Sequence, residues 1–322
     1  MDSVTQAVLG AAIGEAVLGK KIGNKAALLG AIGGTIPDLD ILLNPFFSTL
    51  QNISIHRGYS HSILFCLLGG LFFAWLLTKV KWTKEISYTR LFSLSFLALF
   101  THILLDAFTT YGTQLFLPFS DYRVSFDSVN IVDPLYTLPL LALLLITLFK
   151  ARSNGLIRSK ANSYGLILSS AYLIFTLGNK ERVENIFQNA LDERGIQIEH
   201  LSSVPVKVAN IYWYGVARSS DSLYLAKYSP FQKDDLKFDV FPVNEQLLDD
   251  LDPYLIDRLK WFAQDNFIVA ESEGKIRMYN MQCDMQGVRT YGSYRAPTAF
   301  YYEIKPHEDG SYDLKAGMHD RK

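Results

Sequence analysis

A series of apolar stretches of membrane-spanning length, crowded into the first 179 residues, limits the fold of this chain more than any other feature. A hydrocarbon core of about 30 Å takes roughly 20 mostly apolar helical residues to cross. Residues 62–80 (SILFCLLGGLFFAWLLTKV), 91–108 (LFSLSFLALFTHILLDAF), 131–149 (IVDPLYTLPLLALLLITLF) and 162–178 (NSYGLILSSAYLIFTLG) come close to that length. Residues 26–43 (AALLGAIGGTIPDLDILL) qualify except for an acidic end. Residues 3–19 (SVTQAVLGAAIGEAVLG) are weaker, for they include Glu15, but their Gly and Ala suit helix–helix contact. Any one of these runs fits a buried helix of a large soluble protein. Five or six in series with short links predict a membrane α-helical bundle of about 5–6 transmembrane helices. The opening MDSVTQ has no basic n-region, so a cleaved signal peptide is not expected.

Composition changes at Lys180. Residues 1–179 carry 13 Lys+Arg against 9 Asp+Glu, and residues 180–322 carry 18 against 23. The second part reads as a soluble α+β domain. VPVKVANIYWYGVAR and NFIVAESEGKIRMYNMQ have the β-branched and aromatic content of strands, with Ser-Glu-Gly as a hairpin turn. Residues 244–264 read as one or two helices. The aromatics Tyr212, Trp213, Tyr214, Tyr291, Tyr294, Tyr301 and Tyr302 suit sheet packing, and His307 and His319 read as residues of a solvated tail. Net charge is −1, which argues against a nucleic-acid partner. The two cysteines, Cys66 and Cys283, fall on opposite sides of the division, and Cys66 lies inside an apolar run, which argues against a disulfide framework.

Positive loops set the orientation. If six segments alternate, one set of loops holds 11 Lys and Arg, while the other, 44–61 and 109–130, holds only Arg57 and Arg123. The first set is then cytoplasmic, and the N-terminus and the domain from residue 180 lie periplasmic or extracellular. With that assignment Asp38, Asp40, His56, His61, His102, Asp106, Asp127 and Asp133 all gather at one membrane face, together with Asp2 and Gln6.

Ionisable groups at membrane depth cost about 2.5–3.5 kcal/mol each on insertion scales, so they persist where they pair with one another or with an ion. His102 and Asp106 are four apart, and a helix aims both the same way. Pro37 can break its segment and turn Asp38 and Asp40 toward a polar cavity. Gly58 would let the HRGYSHS loop bend between His56 and His61. Imidazole nitrogen with carboxylate oxygen suits zinc, and also manganese or iron. A carboxylate such as Asp40 or Asp106 could act as base if it is not a ligand. Arg57 and Arg123 suit an anionic substrate, because a guanidinium forks onto phosphate. Simpler readings stand beside these. His56 and His61 also suit a membrane boundary, His102 with Asp106 a structural pair, and Asp133-Pro134 the start of a helix with proline at its first turn.

Taken together, TIPDLD, HRGYSHS, THILLDAFTTYGTQLFLPFS and IVDPLYTLP resemble the LexA-regulated, membrane-bound metal-dependent hydrolase family, YdjM-like proteins of the bacterial inner membrane, over about residues 1–150. The resemblance implies a multi-spanning helical protein with metal-dependent hydrolase activity. Carried over residue by residue, it points to Asp38, Asp40, His56, His61, His102, Asp106 and Asp133 as metal ligands. One departure stands out: Thr5 is followed by Gln6, where many relatives have histidine.

These features point first to a phosphoester hydrolase acting on a lipid or lipid-linked molecule at the outer membrane face. No HExxH is present, which argues against metal-dependent peptide hydrolysis. The alternative is a metal or proton transporter built on the same His/Asp cluster. Transporters place such sites near the midplane between repeated halves, and no internal repeat is evident in this chain. A non-catalytic scaffold displaying the outer domain is a third reading.

Overall fold

A computed structural model describes residues 1–150, 155–206, 210–232, 234–272, 274–281, 285–291, 294–298, 300–307 and 311–318. Cys283, Glu273 and His319 lie outside the described residues. The chain divides into two compact units, one of residues 1–43 and 55–178, the other of residues 44–54 and 179–322.

The first unit is helical. Asp2 caps α1 (Ser3–Ile22), accepting from the backbone N–H of Val4 and Thr5. Gly23, at φ 62°, turns the chain directly into α2 (Asn24–Thr35). The two helices touch along a glycine seam: a Cβ added at Gly30 would lie 2.1 Å from the Gly10 carbonyl oxygen, and one at Gly14 would lie 2.1 Å from that of Ala26. Apolar burial drives helix association weakly in lipid, so close backbone approach through small residues takes its place.

Pro37 ends this helix. It opens a 3-10 segment, Pro37–Phe46, bent by 41° from α2. After α3 (Thr49–Ile55), nearly all of which groups with the second unit, come a short 3-10 turn at Tyr59–His61, α4 (Ile63–Thr78) capped by Ser62, and α5 (Tyr88–Ala107). The capping alternative for Asp133 is what is seen: it accepts from Leu135 N–H and starts α6 (Pro134–Leu145) with proline in the first turn. The long α7 (Gly155–Asp192) contributes to both units. A core of Val8, Leu9 and Ala12 from α1 with Leu105, Tyr136 and Leu140 joins α1, α5 and α6.

The expected five or six spans are not all regular helices of crossing length. Among the described residues one helix, Tyr88–Ala107, is by itself long and apolar enough, or up to three spans exist if each bent pair counts as one; Pro134–Phe149 is a shorter apolar helix. Pro37 interrupts the run 26–43, which reads as continuous by composition, and the run from Ser62 forms a helix of only 16 residues.

The second unit is rich in β-sheet. Strands β1 (His200–Val206), β2 (Tyr212–Arg218), β3 (Ser222–Tyr228) and β4 (Phe238–Pro242) form an antiparallel sheet in sequence order. Gly215 leaves room for Phe187 of α7, whose ring a Cβ there would meet at 2.6 Å. A second antiparallel sheet has the order β10-β9-β6-β5, from β5 (Phe267–Ser272), β6 (Lys275–Asn280), β9 (Phe300–Pro306) and β10 (Tyr312–Met318). The β5–β6 turn contains Gly274 at φ 68°, where the hairpin was expected. Strands β7 (Met285–Tyr291) and β8 (Tyr294–Thr298) pair with each other, and α8 (Pro253–Ala263) buries Leu255, Leu259 and Phe262. On β9, hydrogen bonds and charge from Lys275, with Arg277, hold the Glu303 carboxyl below its ordinary range.

Two outcomes test these packings. Gly30→Val should lower the melting temperature of the detergent-solubilised protein, at about 1–3 kcal/mol for forced overpacking. Gly178→Ala, where an added Cβ meets nothing within 4 Å, should not; equal losses would remove the seam as the cause. Glu303→Gln should cost under about 1 kcal/mol, as for other partly exposed pairs. Because the folded carboxyl is the stronger acid, that difference should be full above the unfolded value of about 4.3 and vanish as pH falls below it, read by parallel acid melts.

Candidate metal centre

The break after α2 and the short turn before α4 bring two chain segments against the C-terminal end of α5. Asp38 comes from the first turn of the 3-10 segment and His61 from the last residue of the turn preceding α4. His102 and Asp106 lie one turn apart on the buried face of α5. One ligand atom from each of these four residues lies within 4.8 Å of all the others, so the group could hold a metal ion.

The separations are more specific than that limit. His61 Nε2 is 3.3 Å from His102 Nε2, 3.5 Å from Asp38 Oδ1 and 3.3 Å from Asp106 Oδ2. His102 Nε2 is 3.4 Å from both Asp38 Oδ1 and Asp106 Oδ2. These five separations of 3.3–3.5 Å are the edge lengths of a tetrahedron whose centre lies about 2.0–2.1 Å from its corners, the bond length of zinc to imidazole nitrogen or carboxylate oxygen.

Hydrogen bonding on the far sides of the rings determines what faces inward. His102 Nδ1 lies 2.6 Å from the Gly34 carbonyl oxygen, which can only accept, so Nδ1 carries the proton and Nε2 presents a lone pair. Ser60 Oγ donates to Asp40 Oδ2 at 3.0 Å, and His61 Nδ1 lies 2.9 Å from that same Oγ. The remaining role at the hydroxyl is to accept from His61, which turns the His61 Nε2 lone pair inward as well. The fourth corner is an orphan: Asp106 Oδ2 is fully buried with no hydrogen-bond partner. Acceptors thus face acceptors, an arrangement that a cation placed between them would satisfy.

The other expected site residues take different places. Asp40 lies behind His61, accepting from Arg57 N–H at 3.1 Å and from Ser60, with its Oδ1 3.1 Å from His56 Nδ1. It orients ligands rather than joining the four, and His56 lies beyond it. Asp133 caps α6 and accepts from Tyr172 at 2.7 Å, also outside the four. The left-handed residue of the HRGYSHS loop is Arg57, at φ 56°; Gly58, expected to supply the bend, has φ −94°.

Arg57 is buried. Its guanidinium reaches Thr109 Oγ1 at 2.8 Å and Asp106 Oδ1 at 3.3 Å, and stacks 4.9 Å from the Tyr111 ring. Arg123 stacks on the same ring at 4.7 Å. Gln6 donates to Asp106 Oδ1 at 3.0 Å, and the Met1 nitrogen pairs with that oxygen too. Gln6 therefore serves the outward oxygen of Asp106. Ser60, Thr109 and Tyr111 escaped the sequence reading. They carry no pattern of their own, and only the adjacency of Ser60 to His61 was a signal.

A helical unit with apolar outer faces and a buried His/Asp cluster defines a membrane protein able to hold a metal ion. The chain matches the model for the YdjM inner membrane protein family over residues 1–183, more than half its length, and belongs to that family. All four converging residues fall inside the matched region. It is also 30% identical over 145 residues to the uncharacterized protein YfhP of Bacillus subtilis (strain 168), covering 42% of each chain, so under half of that relative's length is matched. No solved structure matches.

The protein purified in detergent should retain about one equivalent of divalent metal, measured by inductively coupled plasma mass spectrometry. His61→Ala and His102→Ala should lose most of it, since loss of a ligand or of its orienting partner typically weakens affinity by 10- to 100-fold or more. His56→Ala and Asp133→Asn should keep it. Equal metal in all five proteins would remove the centre.

Proposed function

We propose that the helical unit is a membrane-embedded hydrolase that uses a divalent cation, zinc or else manganese or iron, to cleave a phosphoester in a lipid or lipid-linked substrate. The observation that carries this reading is the convergence of two imidazole lone pairs and two carboxylate oxygens on one point. When bound, the cation supplies Lewis acidity and makes water acidic near pH 7.

The chain's own residues divide the remaining work. Asp38 is the ligand at the mouth: its side chain is 25% exposed, against 0% for His61, His102 and Asp106. Arg57 and Arg123, held by Tyr111, supply positive charge for an anionic substrate. Asp40 and Asp106, the carboxylates expected as bases, are both engaged, the first by three donors and the second within the four. The group left to take a proton is His56. Its Nδ1 is bonded to Asp40, its side chain is 27% exposed, and its Nε2 is the basic nitrogen.

The protein crosses the bacterial inner membrane with the metal centre and the C-terminal unit on the outer side. The Lys/Arg bias of the loops supports this orientation. Single cysteines at positions 52 and 84, with Cys66 and Cys283 replaced, should react with an impermeant maleimide from outside at 52 only; access at 84 alone would reverse the assignment.

On a panel of short-chain phosphodiesters, His56→Ala should keep its metal and lose about 10²–10⁴-fold in kcat, the range for a general acid–base residue. Wild-type protein that binds metal and turns over no ester, yet carries metal into liposomes, would replace the hydrolase by a transporter.

A further inference from the structure

The helices that carry the metal centre also line an apolar crevice that the centre's own chemistry does not need. The crevice has a volume of about 140 Å³ and lies between α2, α4 and α5. Ile32, Gly33 and Ile36 line it from α2, Ala98 and Leu99 from α5, and Leu76 from α4. Ile32 and Leu76 are exposed, so the crevice opens on the apolar outer surface of the unit.

Residues lining it stand close in the chain to the metal site. Ala98 lies four residues before His102, one turn below it on the same face of α5. Gly33 precedes Gly34, whose carbonyl holds His102. A Cβ at Gly33 would meet that of Ala98 at 3.0 Å, so the glycine lets α2 and α5 approach closely beside the crevice. Ile36 closes the line, and two residues on is Asp38, the one exposed ligand. The lining on α2 from Leu29 to Ile36 runs about 10 Å at 1.5 Å per residue.

Charge identifies the head of the occupant. Asp38, Asp40 and Asp106 with Arg57, Arg123 and the Met1 ammonium beside Asp106 sum to zero with neutral histidines, and a divalent cation turns this to +2. That net positive charge suits the anionic head of a phosphodiester. We infer that the substrate is a phospholipid that lays one acyl chain in this crevice and presents its phosphodiester at Asp38 and the cation. This rests on the hydrolase reading above for the fate of the head and names the substrate class for it. The acyl chain reaches the crevice sideways from the bilayer, past Ile32 and Leu76, without leaving the hydrocarbon.

The test reads occupancy as well as turnover. Wild-type protein in phosphatidylglycerol vesicles carrying a trace of phosphatidylglycerol with a diazirine in its acyl chain is irradiated, and cross-links are mapped by mass spectrometry. Cross-links at Ile32, Leu76 and Leu99 should exceed those at Leu68 and Ile174, exposed apolar residues outside the crevice, by about tenfold, equivalent to roughly 1.4 kcal/mol of preference. Ala98→Leu and, independently, Ser95→Leu should abolish the excess while keeping bound metal. Uniform labelling, or an excess that survives both variants, overturns the proposal, as does labelling by a diazirine isoprenyl phosphate in place of the acyl probe. Uniform labelling of a protein that still cleaves a soluble phosphodiester would sink the crevice alone; crevice labelling without metal or turnover would sink the hydrolase alone.

Discussion

Four hydrogen-bond acceptors pointed at one another, inside a helical unit with an apolar exterior, form an arrangement that opposes its own assembly. Two imidazole lone pairs and two carboxylate oxygens at 3.3–3.5 Å repel, and burial strengthens the repulsion by lowering the local dielectric. A divalent cation at the centre converts each of those repulsions into attraction. The surrounding contacts hold the acceptors in this orientation: Gly34 sets the His102 tautomer, Ser60 sets that of His61, and Arg57 and Gln6 occupy the other oxygen of Asp106.

Arg57 and Asp40 join the loop before α4 to the end of α5. Arg57 reaches Asp106 and Thr109 through its guanidinium and Asp40 through its backbone N–H, which requires the left-handed conformation at that position. A buried guanidinium without carboxylate neighbours would be costly to hold, and the carboxylates without it would repel one another. Neither partner is a stable addition alone. The loop and the helix end are therefore parts of one electrostatic unit, and the glycine seam between α1 and α2 lets Gly34 come close enough to take part.

Much of the candidate site was legible. The spacing of His102 and Asp106 by four residues, the proline before Asp38 and the position of His61 at the head of an apolar run each carried a physical signal, and these four residues are the ones that converge. The roles of Asp40 and His56 were not legible. Asp40 stands two residues from Asp38, and His56 five from His61, and a ligand differs from the residue that orients it by one hydrogen bond, a difference no spacing encodes. Asp133 looks like a site carboxylate and like a helix cap, and its contacts with Leu135 N–H and Tyr172 decide for the cap. The five or six expected spans are not all seen as single regular helices, because hydropathy sums over Pro37, where the backbone changes direction.

By itself the amino-acid sequence determined that the first half of the chain is helical and apolar, that its ionisable residues sit at segment ends, and that a polar half with strand-forming stretches follows. These are consequences of local periodicity and of the cost of placing charge in hydrocarbon. Only the tertiary structure decided which acids and imidazoles meet, which way each ring nitrogen points, and that α2, α4 and α5 leave an apolar crevice between them. Those facts depend on contacts between residues up to 100 positions apart, as with Gln6 against Asp106 and with His102 and Asp106 against Asp38 and His61, and such contacts follow from packing rather than from any neighbouring residue.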